Sequence, residues 1–299
     1  MAKRIIKNNP EMLSLVDLKT NIVFSSANGE ELALQLVKPM WKSAGSGFPL
    51  VVFIQGSSWT KPNQFWQIPQ LSMLARRGFV IASVTHRSCW DVPAPAFLKD
   101  VKTALRFLRT HAEEYDIDAS RVCAFGTSSG GNTALMLGLT GDDPAFETEE
   151  WAGVSTRVSC VVDCFGPTDL IKMIDDQYSA MPKNKENLLY ALGGFDPENY
   201  HKTLRAISPI AYVKEGAALP PFLILHGDSD EVVLYEDSEA LYDKLIACGH
   251  EADLVRVTDA PHEGNFWSEE LLDIVFDFIE KHIGYRKSGP EASASGPFL

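Results

Sequence analysis

The sequence predicts an α/β protein built on a mostly parallel central sheet with helices on both faces. From Leu50 onward, short and wholly apolar runs ("LVVFIQG", "FVIASVTHR", "RVCAFG", "RVSCVVDCFG", "PPFLILHG") alternate with amphipathic stretches. Strands that are apolar throughout, rather than at every second position, belong in a sheet covered on both sides. With 299 residues, 45% of them hydrophobic, the chain is long enough for a sizeable core and reads as one domain over 1–299.

Taken in order, residues 21–40 read as a hairpin, because "NIVFSS" and "LALQLVKP" flank "ANGE" and its Asn28-Gly29 pair favours a tight turn. Strand "LVVFIQG", helix "IPQLSMLARRG", strand "FVIASVTHR", helix "LKDVKTALRFLRTHAEEY" and strand "RVCAFG" follow, and a helix opens at Ser129. After "RVSCVVDCFG" the alternation stops. Residues 167–214 carry helical fragments and aromatics, and read either as a small helical cap inserted between two strands or as connecting helices with no gating role. The pattern then resumes with "PPFLILHG", "YEDSEALYDKLIACG", "EADLVRVTD" and the closing helix "SEELLDIVFDFIEKHIG". The acidic stretch "GDDPAFETEEWAG" lacks the Asp/Gly spacing of a calcium loop and is expected to be a solvated loop. Residues 285–299 are low in hydrophobicity and are expected to form a flexible tail.

A formal charge of −13, with no Lys/Arg run beyond the initial "AKR", argues against nucleic acid and anionic membranes as partners. The first residues lack a secretory signal, and no stretch reaches about 18 uninterrupted apolar residues, so the expectation is a soluble, cytoplasmic protein. Five cysteines are an odd number, and three of them sit inside apolar runs, so neither a disulfide framework nor a zinc site is expected. The homo-oligomeric state is left open.

The stretch "CAFGTSSGGNTALML" carries the chemistry. A G-x-S-x-G string alone is weak, with about 0.1 chance matches in a chain of this size, but here it stands where a strand meets a helix. Ser128 would then occupy a sharp turn with positive φ, and Gly126 and Gly130 would keep side chains from colliding across it. The Ser129 N–H, opening a helix, would be free to stabilise a developing oxyanion. A glycine-rich helix start with a capping serine is the alternative.

A serine hydroxyl needs a base, and the base a carboxylate, in the order Ser, Asp, His. "LILHGDSDEVV" supplies Asp228 and Asp230 after one strand, and "VTDAPHEGNFW" supplies His262 after the next. Of seven histidines only His262 follows the acid in a glycine-flanked loop; Asp230 is preferred because Asp228, directly after Gly227, is placed to cap its own backbone.

Gly126-Thr127-Ser128-Ser129-Gly130, the "HGDSD" turn and the "PHEG" loop together resemble α/β-hydrolase esterases. "FIQGSSW", "LARRGFVIASVTHR", "FLKDVKTALRFLRTHAEEYDIDASRV" and "CFGPTDL" look most like the bifunctional feruloyl and acetyl-xylan esterases and related acetylesterases, over residues 21–283. The resemblance implies Ser128 as nucleophile, His262 as base and Asp230 as its orienting acid. Many such esterases carry His-Gly-Gly-Gly where this chain has Gln55-Gly56-Ser57-Ser58; a backbone donor does not depend on its side chain, so Ser57 N–H is expected to join Ser129 N–H in the oxyanion hole. The resemblance also implies that Arg87 and Asp100 form a structural ion pair. Trp59, Trp66 and Trp267 stand in loops at the same edge as candidate substrate contacts. The expected activity is hydrolysis of acetyl-type or hydroxycinnamoyl esters of a small molecule or carbohydrate through an acyl-enzyme, with no metal or organic cofactor. A prolyl-oligopeptidase-type aminopeptidase and a non-catalytic binding protein are the alternatives.

Overall fold

A computed structural model describes residues 3–26, 29–178, 182–193 and 199–284; the Asn28 half of the expected turn and the 285–299 tail lie outside these residues. Eight strands form one sheet in the order β1-β2-β4-β3-β5-β6-β7-β8: β1 (Val16–Ser25), β2 (Leu32–Pro39), β3 (Phe48–Ile54), β4 (Val80–Val84), β5 (Ile117–Thr127), β6 (Cys160–Cys164), β7 (Phe222–Gly227) and β8 (Ala252–Val257). The β1–β2 and β2–β4 pairs are antiparallel and all others are parallel.

The apolar runs become the central strands for the expected reason. Every residue of β3 is buried, with Leu50, Val52 and Ile54 facing one layer of the core while Val51 and Phe53 face the other. On the first face pack α2 (Ala96–Thr110), α4 (Ser129–Thr140) and α8 (Tyr235–Ala247), through residues such as Leu105, Leu135 and Leu241. The second face is covered by α1 (Ile68–Ala75) and α9 (Glu269–Ile283), through Leu71, Leu74, Val275 and Ile279. Ser268 caps α9, its Oγ accepting the Leu271 N–H. A one-turn α3 (Ala112–Tyr115) leads into β5.

Two expectations change. The hairpin begins at Val16 rather than residue 21, because the strand continues across an irregularity at Asn21, where φ is 55° and the Gln35 side chain accepts the stranded N–H. The acidic stretch after α4 is not merely solvated: Phe146 is buried, Trp151 donates its indole N–H to Phe24 O, and Asp142 accepts from Ser155, Thr156 and Arg157.

Between β6 and β7 lie α5 (Leu170–Lys172), a π turn at Met173–Gln177, α6 (Pro182–Gly193) and α7 (Tyr200–Ala206). Leu170, Ile174, Leu192 and Leu204 form a third apolar cluster with Phe97 of α2 and Met136 of α4. Polar ties reach the neighbouring loops: Ala94 N–H donates to Leu192 O, and Gln177 and Tyr178 donate to Val232 O, two residues past Asp230. The insertion is thus fastened both to the loop before α2 and to the turn after β7.

Candidate active site

Ser128 joins β5 to α4 with φ 52° and ψ −126°, a conformation most side chains avoid. The turn is made possible by glycine on both sides, though not symmetrically. A Cβ on Gly126 would lie 2.0 Å from Gly130 O across the turn, whereas one on Gly130 would meet Ile54 O of β3 at 2.1 Å. The Ser128 N–H is spent on Cys164 O at 2.8 Å, and the Ser128 side chain caps nothing, which removes the capping alternative.

The hydroxyl points instead to His262, whose Nε2 lies 2.9 Å from Ser128 Oγ; on the other side of the ring, Nδ1 lies 2.6 Å from Asp230 Oδ2. These partners assign the tautomer: the nitrogen facing a carboxylate carries the hydrogen, leaving Nε2 to accept from the serine. Phe165, fully buried, meets the imidazole edge-on at 4.7 Å and limits its rotation. An imidazole so held can take a proton from the hydroxyl and return it to a departing group.

Asp230 is reached from β7 through a tight turn, and its side chain is fully buried. Its Oδ1 accepts the Val232 and Val233 N–H groups at 2.8 and 3.0 Å. Burial pushes this carboxyl up, but hydrogen bonds from His226, His262 and the Val233 N–H outweigh that and hold it well below the usual carboxylate range. Asp228 faces away, accepting from Arg256 Nε at 2.9 Å and Asp259 N–H at 2.7 Å. Five of the other six histidines lie elsewhere: His86 faces the Arg87 carbonyl, His111 the Phe107 carbonyl, His201 the Asp175 carboxylate, His250 the Lys214 carbonyl and His282, at 3.8 Å, the Glu251 carboxylate.

The Gln55–Ser58 segment lies against the elbow, since a Cβ on Gly56 would come within 2.7 Å of Ser128 Cβ, and Gly56 N–H donates to Thr127 Oγ1. Ser57 N–H donates to Ser129 Oγ at 2.9 Å, so the expected second oxyanion donor stands at the start of α4 already engaged by a side chain that can rotate. Among the described residues no acceptor meets the Ser129 N–H. Arg87 and Asp100 form the expected pair, bidentate with contacts of 2.7 and 3.0 Å, which ties the loop after β4 to α2.

The three tryptophans part company. Trp59, like Ser58 before it, has positive φ, and the reversal turns its indole inward against Phe97, leaving 3% exposure; it is core, not a cleft wall. Trp66 and Trp267 line a cleft of about 280 Å³ with Phe53, Phe125, Glu263 and Leu272, beginning at the residue after His262. A larger hollow of about 630 Å³, at the opposite end of the strands around Gly47 and Arg121, touches none of these groups.

Sequence reasoning missed two groups here. His226 shares the Asp230 carboxylate, and Asp163, fully buried beneath the elbow, accepts the Gly166 N–H while burial pushes its carboxyl well up. Among the described residues no group of three or more His, Cys, Asp or Glu side chains could hold a metal, and no helix is long and apolar enough to cross a membrane.

A mostly parallel eight-stranded sheet with helices on both faces and a strained serine turn after its central strand is the α/β-hydrolase fold. The chain belongs to the BD-FAE family, whose profile matches residues 34–245, a stretch that ends before His262. It is 28% identical to Esterase LipC of Mycobacterium tuberculosis over 84% of this chain and 58% of LipC. The chain spans about half the length of the curated relatives it matches. A truncated form of a carbohydrate esterase from gut microbiota superposes with a TM-score of 0.75 at 26% identity, covering 92% of this chain and 98% of that one. Native Est2, an esterase of Thermogutta terrifontis, shares the fold, with a TM-score of 0.73 at 24% identity over 94% of this chain and 97% of that one.

Proposed function

We propose that this chain is a serine carboxylesterase in which Ser128 attacks an ester carbonyl while His262 takes its proton and Asp230 holds the imidazole. One observation carries the reading: a single imidazole within hydrogen-bonding distance of both the strained serine hydroxyl and a buried carboxylate. Ser129 N–H, and Ser57 N–H once Ser129 Oγ turns away from it, hold the tetrahedral oxyanion. His262 returns the proton to the departing alcohol, leaving an acyl-enzyme. Water repeats the sequence and releases the acid.

The substrate is a short acyl or hydroxycinnamoyl ester of a small molecule or carbohydrate. The aromatic cleft that Trp66 and Trp267 form with Glu263, the residue after His262, supports the ring-bearing choice, and the name of the structural neighbour, a carbohydrate esterase, supports a sugar as the alcohol. The chain works as one domain, with the 167–214 insertion as a cap anchored to the acid turn. Ser128→Ala should abolish hydrolysis of p-nitrophenyl acetate while the melting temperature holds; turnover persisting in that variant refutes the assignment. Acetyl, butyryl, octanoyl and feruloyl esters compared by kcat/KM then rank the acyl groups.

A further inference from the structure

We propose that His226 is a positioning residue for this site: its Nε2–H, shared between Asp230 Oδ2 and the Val233 carbonyl, fixes the carboxylate and tempers the negative charge offered to His262. The proposal rests on the reading of Ser128, His262 and Asp230 as the reacting line.

The geometry fixes what His226 does. Its Nε2 lies 3.1 Å from Asp230 Oδ2 and 2.9 Å from Val233 O, and its Nδ1 lies 2.7 Å from Ser238 Oγ. Two acceptors facing Nε2 require a hydrogen there, because a lone pair would be repelled by both. The Ser238 hydroxyl then donates to Nδ1. Every polar atom of a fully buried imidazole is satisfied in its neutral form. The arrangement is local to the chain: His226 is the penultimate residue of β7, and the turn after Gly227 returns Asp230 beneath it. Gly227 is needed because a Cβ there would lie 2.2 Å from the Ala260 carbonyl, two residues before His262. The same close approach that folds the acid turn therefore sets the histidine loop against it.

Oδ2 of Asp230 thus accepts from two imidazoles at once, and charge drawn toward His226 is not available to His262. With the His226 donor removed, the carboxylate would stabilise protonated His262 more strongly, and the base would be lost at a higher pH. Other titratable groups face this pair and stay constant in the comparison. They are Tyr178 from the insertion and Tyr235 and Asp237 from α8; Glu263, next in sequence to His262, has its carboxylate engaged by the Trp267 indole N–H.

The test compares His226→Leu, which removes the donor, with His226→Gln, whose side-chain amide can put an N–H near the same place. Rate against pH is measured with p-nitrophenyl acetate, and imidazole tautomers are read in the wild type by ¹⁵N NMR. We expect His226→Leu to lower kcat about tenfold or more with KM within about twofold, the loss of one hydrogen bond to a charged group. Its acid-limb midpoint should rise by about half a pH unit or more, and His226→Gln should restore both. The proposal is overturned if the Leu variant keeps the wild-type midpoint, if a stably folded Gln variant shifts like Leu, or if NMR finds the hydrogen of His226 on Nδ1. Should the Leu variant not fold, the Gln profile and the tautomer decide. Turnover that survives in Ser128→Ala instead removes the reading beneath the proposal, and leaves the tautomer to judge His226 on its own.

Discussion

Asp230→Asn separates the role of charge from the role of shape at this site. Asn keeps an oxygen for the Val232 and Val233 N–H groups, now at 2.8 and 3.0 Å, so the turn after β7 retains its internal bonds. At the other position a carboxylate oxygen becomes an amide nitrogen bearing two hydrogens, facing His262 Nδ1 at 2.6 Å and His226 Nε2 at 3.1 Å. His262 can stay bonded only by accepting at Nδ1. That moves its hydrogen to Nε2, which would then donate to Ser128 Oγ rather than accept from it. A triad holding the wrong tautomer loses about 10⁴-fold in kcat, or about 5.4 kcal/mol of transition-state stabilisation. The His226 N–H, left facing a second donor, adds a folding penalty of about 1–3 kcal/mol. The control is Asp228→Asn, two residues away but bonded to Arg256 and Asp259; its kcat should stay within about threefold of wild type, as for a residue outside the reacting line. Both variants would be assayed with p-nitrophenyl acetate alongside thermal melts. A folded Asp230→Asn retaining more than about a tenth of wild-type kcat, or an Asp228→Asn that is the more damaging, would refute this assignment of the acid.

Three further outcomes follow from the same geometry. Gly126→Ala places a methyl 2.0 Å from Gly130 O, so the elbow must open; a shift of about 1 Å at the serine should reduce kcat about 10²-fold, with about 1–3 kcal/mol lost in stability, and an unaffected variant would show the turn to be looser than argued. Ser129→Ala removes the acceptor of Ser57 N–H but keeps both backbone donors; kcat should stay within about threefold, while a loss of about 10²-fold, the size of a missing oxyanion donor, would move the role of Ser129 to its hydroxyl. At Asp118, burial pushes the carboxyl up, but the Ser120 and Ser46 hydroxyls and Arg121 outweigh it and hold it at about 2. A carboxyl lowered by folding stabilises above its unfolded value of about 4 and loses that contribution as pH falls toward about 2. Asp118→Asn should therefore cost about 1–2 kcal/mol at neutral pH, after allowance for the part-exposed Arg121, with the gap to wild type closing below about pH 3; a gap independent of pH would contradict this.

The parts of the site that were legible in the sequence are those set by strand ends. Ser128, Asp230 and His262 each follow an apolar run, and parallel strands deliver such residues to one edge of the sheet, where the structure brings the three within hydrogen-bonding reach. The parts that were not legible depend on how a loop turns. Trp59 stands in an edge loop like Trp66, and only the two successive positive φ values at Ser58 and Trp59 send it into the core. His226 reads as an apolar strand's last residue; its bond to Asp230 exists because a tight glycine turn brings residue i+4 back to residue i, a spacing present in "HGDSD" that could have been noticed. The early start of β1 was hidden because Lys19, Thr20 and Asn21 break the apolar alternation, and the Gln35 side chain, not the local pattern, supports the strand there. That Ser57 N–H would meet a hydroxyl was also beyond reach, since it depends on the side-chain rotamer of Ser129.

The central claim is tested most directly by treating the wild-type chain and His262→Ala with a fluorophosphonate and mapping the adduct by peptide mass spectrometry. A rapid, single adduct on the peptide containing Ser128, slowed at least about a hundredfold when His262 is removed, is the result this account predicts. Labelling at another serine, or Ser128 labelled equally fast without the imidazole, would contradict it.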